Sequence, residues 1–399
     1  LTTLTGAGKG GFMTSLRFGT FIAPHHRVGY SPSQQMRDDL DLIVHLDNLG
    51  FDEVWIGEHH STGVEIYASP EVMVAAAAER TKTIKLGMGV NSLPYHHPFI
   101  LADRWVMLSH LTRGRTMFGV GPGSLPTDSW QMGLDPMENR KIMEASLEAI
   151  VALLDGEEPV TRDTEWFQLR DARLQLLPFR REYDLRVAAM VSPSGPRAAG
   201  RFGLGMISVA ATTPAGFDAL KGAWGTAEER AEEYGKTVSR QNWGVVAPVH
   251  LAETVEQAHK DVHWGMTEWV DYFKKTVPLP IGADADNVPE AIADLTEGTG
   301  LAVIGTPDMA IAQIERLLDQ TGGLGTFLIQ AHDWADPVAT RKSYELFAKQ
   351  VIPHFDGSFA PRFANNAWCV ETAVEAKRQF SAAQEKAQRE HDESKSAVS

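Results

Sequence analysis

What most constrains this chain is a repeated alternation. A short apolar run, a turn rich in Gly, Pro, His or Ser, and a longer amphipathic stretch follow one another about eight times. The apolar runs fall at 17–22, 53–56, 85–91, 116–120, 185–189, 206–209, 243–251 and 326–331. Strands separated by helices pair in parallel, because the crossover carries the chain back to the same edge of the sheet. That pattern predicts an α/β fold, a (β/α)8 TIM barrel with insertions, with a doubly wound open sheet as the runner-up. Two stretches break the rhythm and read as insertions, one near 155–183 and one, aromatic then proline-rich then acidic, near 259–300. The barrel domain is expected over 16–355, after a flexible extension over 1–15 and before a C-terminal arm and charged tail over 356–399.

Composition narrows the function. A formal net charge of -15 and the lack of Lys/Arg clusters argue against a nucleic-acid partner. No run approaches the roughly 18 apolar residues of a membrane span. Cys369 is the only cysteine, which excludes an internal disulfide and a cysteine-based zinc site and fits a reducing cytoplasm.

In such a barrel, chemistry gathers where strands end. The run 53–56 enters Gly57-Glu58-His59-His60, an acid and two imidazoles able to exchange protons near neutral pH. Hydrogen-bonded supporting histidines are the plainer reading. His25, His26, His96, His97 and His332 also lie near strand ends, so a metal-dependent hydrolase stands as an alternative, although no H-x-H pair follows the first strand. After the fourth strand, G-V-G-P-G-S (119–124) supplies Gly121 and Gly123, where backbone can approach a flat ligand closely. After the fifth, V-S-P-S-G-P-R (191–197) places Ser192, Ser194 and Gly195 at a helix start, a phosphate-holding arrangement to which Arg197 adds a cation. An ordinary N-cap by Ser194 is the competing reading. Q-A-H-D-W (330–334) and the aromatics Trp264, Trp269, Tyr272 and Phe273 either wall a ligand or pack against the barrel.

Taken together, F-D-E-V-W-I-G-E-H-H, K-L-G-M-G-V-N-S-L-P-Y-H-H-P, G-R-T-M-F-G-V-G-P-G and G-G-L-G-T-F-L-I-Q-A-H-D-W resemble the bacterial luciferase-like flavin-dependent monooxygenases, in particular their limonene and diketocamphane monooxygenase branch. The resemblance runs over about 17–353. It implies a barrel that takes FMN as FMNH2 from a separate NAD(P)H:flavin reductase. With O2, such an enzyme oxygenates a small hydrophobic substrate, a terpene by epoxidation or a cyclic ketone by Baeyer-Villiger insertion. It further implies a homodimer, His59 as the active-site histidine with His60 beside it, and flavin contacts at Gly89, Val90 and Ser192, with Ser194 and Gly195 in the same turn; Asn91, Gly121 and Gly123 are expected beside them, and Arg197 is the candidate cation for the phosphate. Gly89-Val90 falls where the pattern has a non-proline cis peptide. Two positions depart from luciferase: Pro122 replaces an arginine for the phosphate, and Val191 replaces a glutamate. An F420-dependent oxidoreductase and a non-catalytic flavin-binding barrel are the remaining alternatives.

Overall fold

The structure is a computed structural model that describes residues 16–23, 25–277 and 285–396. The expected extension over 1–15 lies outside these residues, as do 278–284 of the second insertion. Among the described residues there are eleven strands: β1 (Arg17–Ile22), β2 (Glu53–Ile56), β3 (Lys85–Ser92), β4 (Thr116–Gly121), β5 (Val160–Asp163), β6 (Gln168–Ala172), β7 (Leu185–Ala189), β8 (Gly205–Ser208), β9 (Trp243–Leu251), β10 (Val303–Gly305) and β11 (Thr326–Ala331). β1, β2, β3, β4, β7, β8, β9 and β11 pair in that order, and β11 returns to β1. Every one of these pairings is parallel. The sheet therefore closes as an eight-stranded barrel, and the open-sheet alternative falls.

The insertions resolve differently. The first contains the antiparallel hairpin β5–β6. The second carries the helices Met266–Lys275 and Val288–Ala293, entered from the helix Val255–Val262, and just beyond it lies a short strand that sequence reading missed, β10, which pairs with β9. Three apolar residues ending in glycine are too few to give a periodic signal. The chain divides into two compact units after Ile352. The second unit is dominated by the helix Phe359–Ser396, on which Phe363, Trp368, Val374 and Phe380 are exposed.

Local chemistry accounts for the strand and helix boundaries. Parallel barrel strands are covered on both faces and read as near-continuous apolar runs; β2 is wholly buried, with Val54, Trp55 and Ile56 at 0% exposure. The helix Pro32–Leu49 begins with proline and ends at Gly50, whose φ of 84° is left-handed. Asp336 caps the helix Pro337–Leu346 by accepting from the Val338 and Ala339 amides.

The barrel interior is layered. Toward the strand N-termini, buried Arg186 donates to Glu53 Oε2 at 2.9 Å and to Asp184 Oδ2 at 2.8 Å. An isolated buried charge costs several kcal/mol, so the guanidinium depends on both carboxylates. It lies 4.8 Å from the Trp55 ring centroid. Above it, Phe21, Trp55, Met117, Ile207, Val246 and Leu328 form the central plug. Gly87 is required there, since a Cβ at that position would run into the Trp55 ring. This filled floor leaves the open space at the carboxyl ends of the strands.

Candidate active site

A cavity of about 360 Å³ opens at those carboxyl ends. Its floor and one wall are apolar: Phe21, Val246, Val209, Val90 and Ala188. The peptide bond Gly89-Val90 is cis, and both residues line the cavity. Trp269, Phe273, Val277 and Leu301 add a second apolar wall. The aromatic segment thus serves both expected roles, because Trp269 and Phe273 also belong to a buried cluster with Tyr272. Trp334 packs edge-on to Trp269 at 5.1 Å and is fully buried, so it acts as packing, while Gln330 reaches the cavity.

At one pole the cavity is polar. The Ser192 and Ser194 hydroxyls lie 2.8 Å apart at the start of the helix Ser194–Phe202. Gly195 lets that helix approach β7, since a Cβ there would press on the Ala188 carbonyl and Ala189. Unpaired amides at a helix start carry positive potential, which suits an anion. Arg197 does not line this pole; it is solvent-exposed on the helix. Arg140, at the start of the helix Asn139–Asp155, is the cationic lining residue instead. Sequence reading passed over it because M-E-N-R-K reads as an ordinary charged helix start. An apolar slot with an anion-accepting end fits a flat ring system bearing a phosphate.

Opposite the slot stand the histidines. His59 lines the cavity with both ring nitrogens engaged: Nδ1 lies 3.1 Å from Asp128 Oδ2, and Nε2 lies 3.1 Å from Glu65 Oε2. The Asp128 contact is a hydrogen bond and the Glu65 contact an ion pair, so two carboxylates flank the ring and favour its charged form. Burial opposes that charge, but the Glu65 carboxylate and the Asp128 hydrogen bond outweigh it and raise the His59 pKa. Burial also opposes ionisation of Glu65, yet the charges of His59 and His25 hold its pKa at about 2. Asp128 is fixed further by the Ser61 hydroxyl at 2.5 Å and the His60 amide at 3.1 Å. Neither Asp128 nor Glu65 stood out in the sequence, since T-D-S-W and V-E-I-Y carry no motif.

His60 turns elsewhere. Its Nε2 lies 3.0 Å from Glu58 Oε1, and its ring meets Tyr95 edge-on at 5.6 Å. It is absent from the cavity lining, whereas Glu58 is present. Glu58 also binds His96 Nε2 at 2.6 Å and accepts from the Ser92 amide at 2.7 Å. Despite burial, these partners, the His60 hydrogen bond first, lower the Glu58 pKa. Glu58 therefore ties the end of β2 to the end of β3. Of the remaining expected residues, Gly123 lines the cavity, and Gly121 sits in β4 facing the Val90 side chain. Asn91 is fully buried beside the lining, with no hydrogen-bond partner for either amide atom among the described residues. Among the described residues no three His, Cys, Asp or Glu side chains are arranged to hold a metal ion. His26, His59, His60 and His96 are instead paired with carboxylates.

A parallel (β/α)8 barrel with a glycine-lined slot, an anion-accepting helix start and a carboxylate-held histidine at its C-terminal mouth defines an enzyme of the flavin-barrel type. The luciferase-like monooxygenase family matches residues 16–324. The chain belongs to that family and is a monooxygenase. It is 46% identical over 373 residues to limonene 1,2-monooxygenase of Rhodococcus erythropolis, covering 93% of this chain and 95% of that one. It is 41% identical to 4-hydroxyprotoasukamycin monooxygenase of Streptomyces nodosus subsp. asukaensis, covering 90% and 98%. Among solved structures it is similar to the oxygenating constituent of 3,6-diketocamphane monooxygenase from Pseudomonas putida in complex with FMN, with a TM-score of 0.70, 26% identity, and coverage of 85% and 98%.

Proposed function

We propose that this protein is the oxygenating component of a two-component, FMNH2-dependent monooxygenase that epoxidises a small hydrophobic olefin of the terpene class. The observation that carries this reading is the convergence, in one cavity, of an apolar slot at Gly89-Val90, an anion-accepting pole at Ser192, Ser194 and Arg140, and His59 held between two carboxylates. When bound, reduced FMN supplies the two electrons that let one atom of O2 enter the substrate while the other leaves as water.

The protein's own residues have distinct tasks. Ser192, Ser194, the Gly195 amide and Arg140 hold the phosphate; Gly89, Val90, Asn91, Gly121 and Gly123 border the ring system. Trp269, Phe273 and Leu301 enclose an apolar substrate and exclude water. His59 holds a proton at the chamber wall between Asp128 and Glu65. Oxygen transfer to an electron-rich olefin calls for an electrophilic oxygen, which a nearby proton favours. Ring insertion into a ketone calls for a nucleophilic one, which a proton suppresses. The charge state of His59 and the 46% identity to a limonene monooxygenase both favour the olefin.

A deazaflavin with a long acidic tail needs a basic rim, and Arg140 is the only Lys or Arg among the described cavity-lining residues. Reduced flavin is taken to come from a separate NAD(P)H:flavin reductase, and the enzyme to act as a cytoplasmic homodimer. The test is an anaerobic FMNH2 titration followed by O2 and a panel of cyclic monoterpene olefins and cyclic ketones, with products read by mass spectrometry. Epoxides from the olefins are expected; lactones alone would move the enzyme to the Baeyer-Villiger class.

A further inference from the structure

A second histidine reaches the cavity from a different strand. His25, in the loop after β1, lines the chamber and is 7% exposed. Its Nε2 lies 3.4 Å from Glu65 Oε1, an ion-pair distance, and neither ring nitrogen has a hydrogen-bond partner among the described residues. Glu65 is thus shared: Oε2 faces His59 Nε2 at 3.1 Å, and Oε1 faces His25 and accepts from the Tyr272 hydroxyl at 2.6 Å. The chain builds this junction deliberately. His25 and Glu65 form an isolated antiparallel bridge, and the His26 amide donates to the Val64 carbonyl at 2.9 Å. The His59 amide donates to the Tyr67 carbonyl at 3.0 Å, which closes the loop after β2 around Glu65. Aromatic rings fix His25 from the far side, with Tyr272 and Phe273 both edge-on at 5.4 Å.

We propose that His25 is a second proton-handling side chain of the reaction chamber, and that Glu65 is the positioning residue that couples it to His59. His59 has a carboxylate beside each ring nitrogen, whereas among the described residues His25 meets a carboxylate at Nε2 alone. The two rings share one carboxylate, so a proton gained or lost at His25 changes how strongly Glu65 holds the proton on His59. The groups that face this unit are Tyr272 and His332 on the His25 side, and Asp128, Glu58 and His60 on the His59 side. The role in catalysis rests on the proposed function; the coupling itself does not.

The coupling is read in flavin-free protein by NMR titration of the histidine rings. In His25→Phe, which keeps a ring among the aromatics, Glu65 loses a competing partner. The His59 titration is then expected to move upward by about one pH unit, a tenfold change in proton affinity. Tyr272→Phe is expected to move it in the same direction, and Glu65→Gln to lower it. With FMNH2 and substrate supplied, His25→Phe should keep FMNH2 affinity while product formation falls about 100-fold. A His59 titration unmoved by both His25→Phe and Tyr272→Phe overturns the coupling. Full product from a folded His25→Phe overturns the catalytic role. Failure of the wild-type protein to bind FMNH2 overturns the proposed function instead, and leaves the titration to decide the coupling.

Discussion

At His59 the chemistry turns on charge. Two carboxylates, one beside each ring nitrogen, favour the imidazolium over burial. On the proposed mechanism His59→Ala keeps flavin affinity and loses product by about 100-fold, measured by single-turnover product analysis. On the same mechanism, Ser192→Ala and Arg140→Ala would each remove a charge-assisted contact to the phosphate of about 1.5–3 kcal/mol. Each should weaken FMNH2 binding by roughly tenfold or more in a stopped-flow titration, whereas Arg197→Ala should leave it unchanged. His59 and the serine turn were legible because they sit in motifs beside glycine and proline. Asp128, Glu65 and Arg140 were not, because their roles arise from where separate loops meet, which no local pattern records.

The elements that carry these residues are held by their own packing. β2 ends in Glu58, whose bonds to His60, His96 and the Ser92 amide lock the carboxyl ends of β2 and β3 together. Lower down, Glu53 and Arg186 meet with both side chains at 0% exposure. Glu53→Gln leaves a buried guanidinium undercompensated and should cost about 3–5 kcal/mol, read by denaturant unfolding. Gly87→Ala drives a methyl group into Trp55 and should cost about 1–3 kcal/mol by the same measurement. All eight barrel strands were legible, because strands covered on both faces read as near-continuous apolar runs even where a paired charge such as Glu53 or Arg186 interrupts them. β10 was not, because three residues have no period.

Across the whole molecule, the site makes stability depend on pH. Glu65 titrates at about 2 in the folded protein against 4.5 as its ordinary value, so its contribution is complete above about pH 4.5 and is lost as pH falls toward 2. His59 is raised above 6.5, so its contribution is present below that pH and is lost as pH rises through the raised value. Tm should therefore fall between pH 4.5 and 2, and Glu65→Gln should flatten that fall. The most direct test is a single turnover with pre-reduced FMNH2, limonene and 18O-labelled O2, in the absence of any reductase. One labelled oxygen per FMNH2 consumed should appear in an epoxide; unlabelled product, or turnover with reduced F420 and no oxygen incorporation, would contradict it.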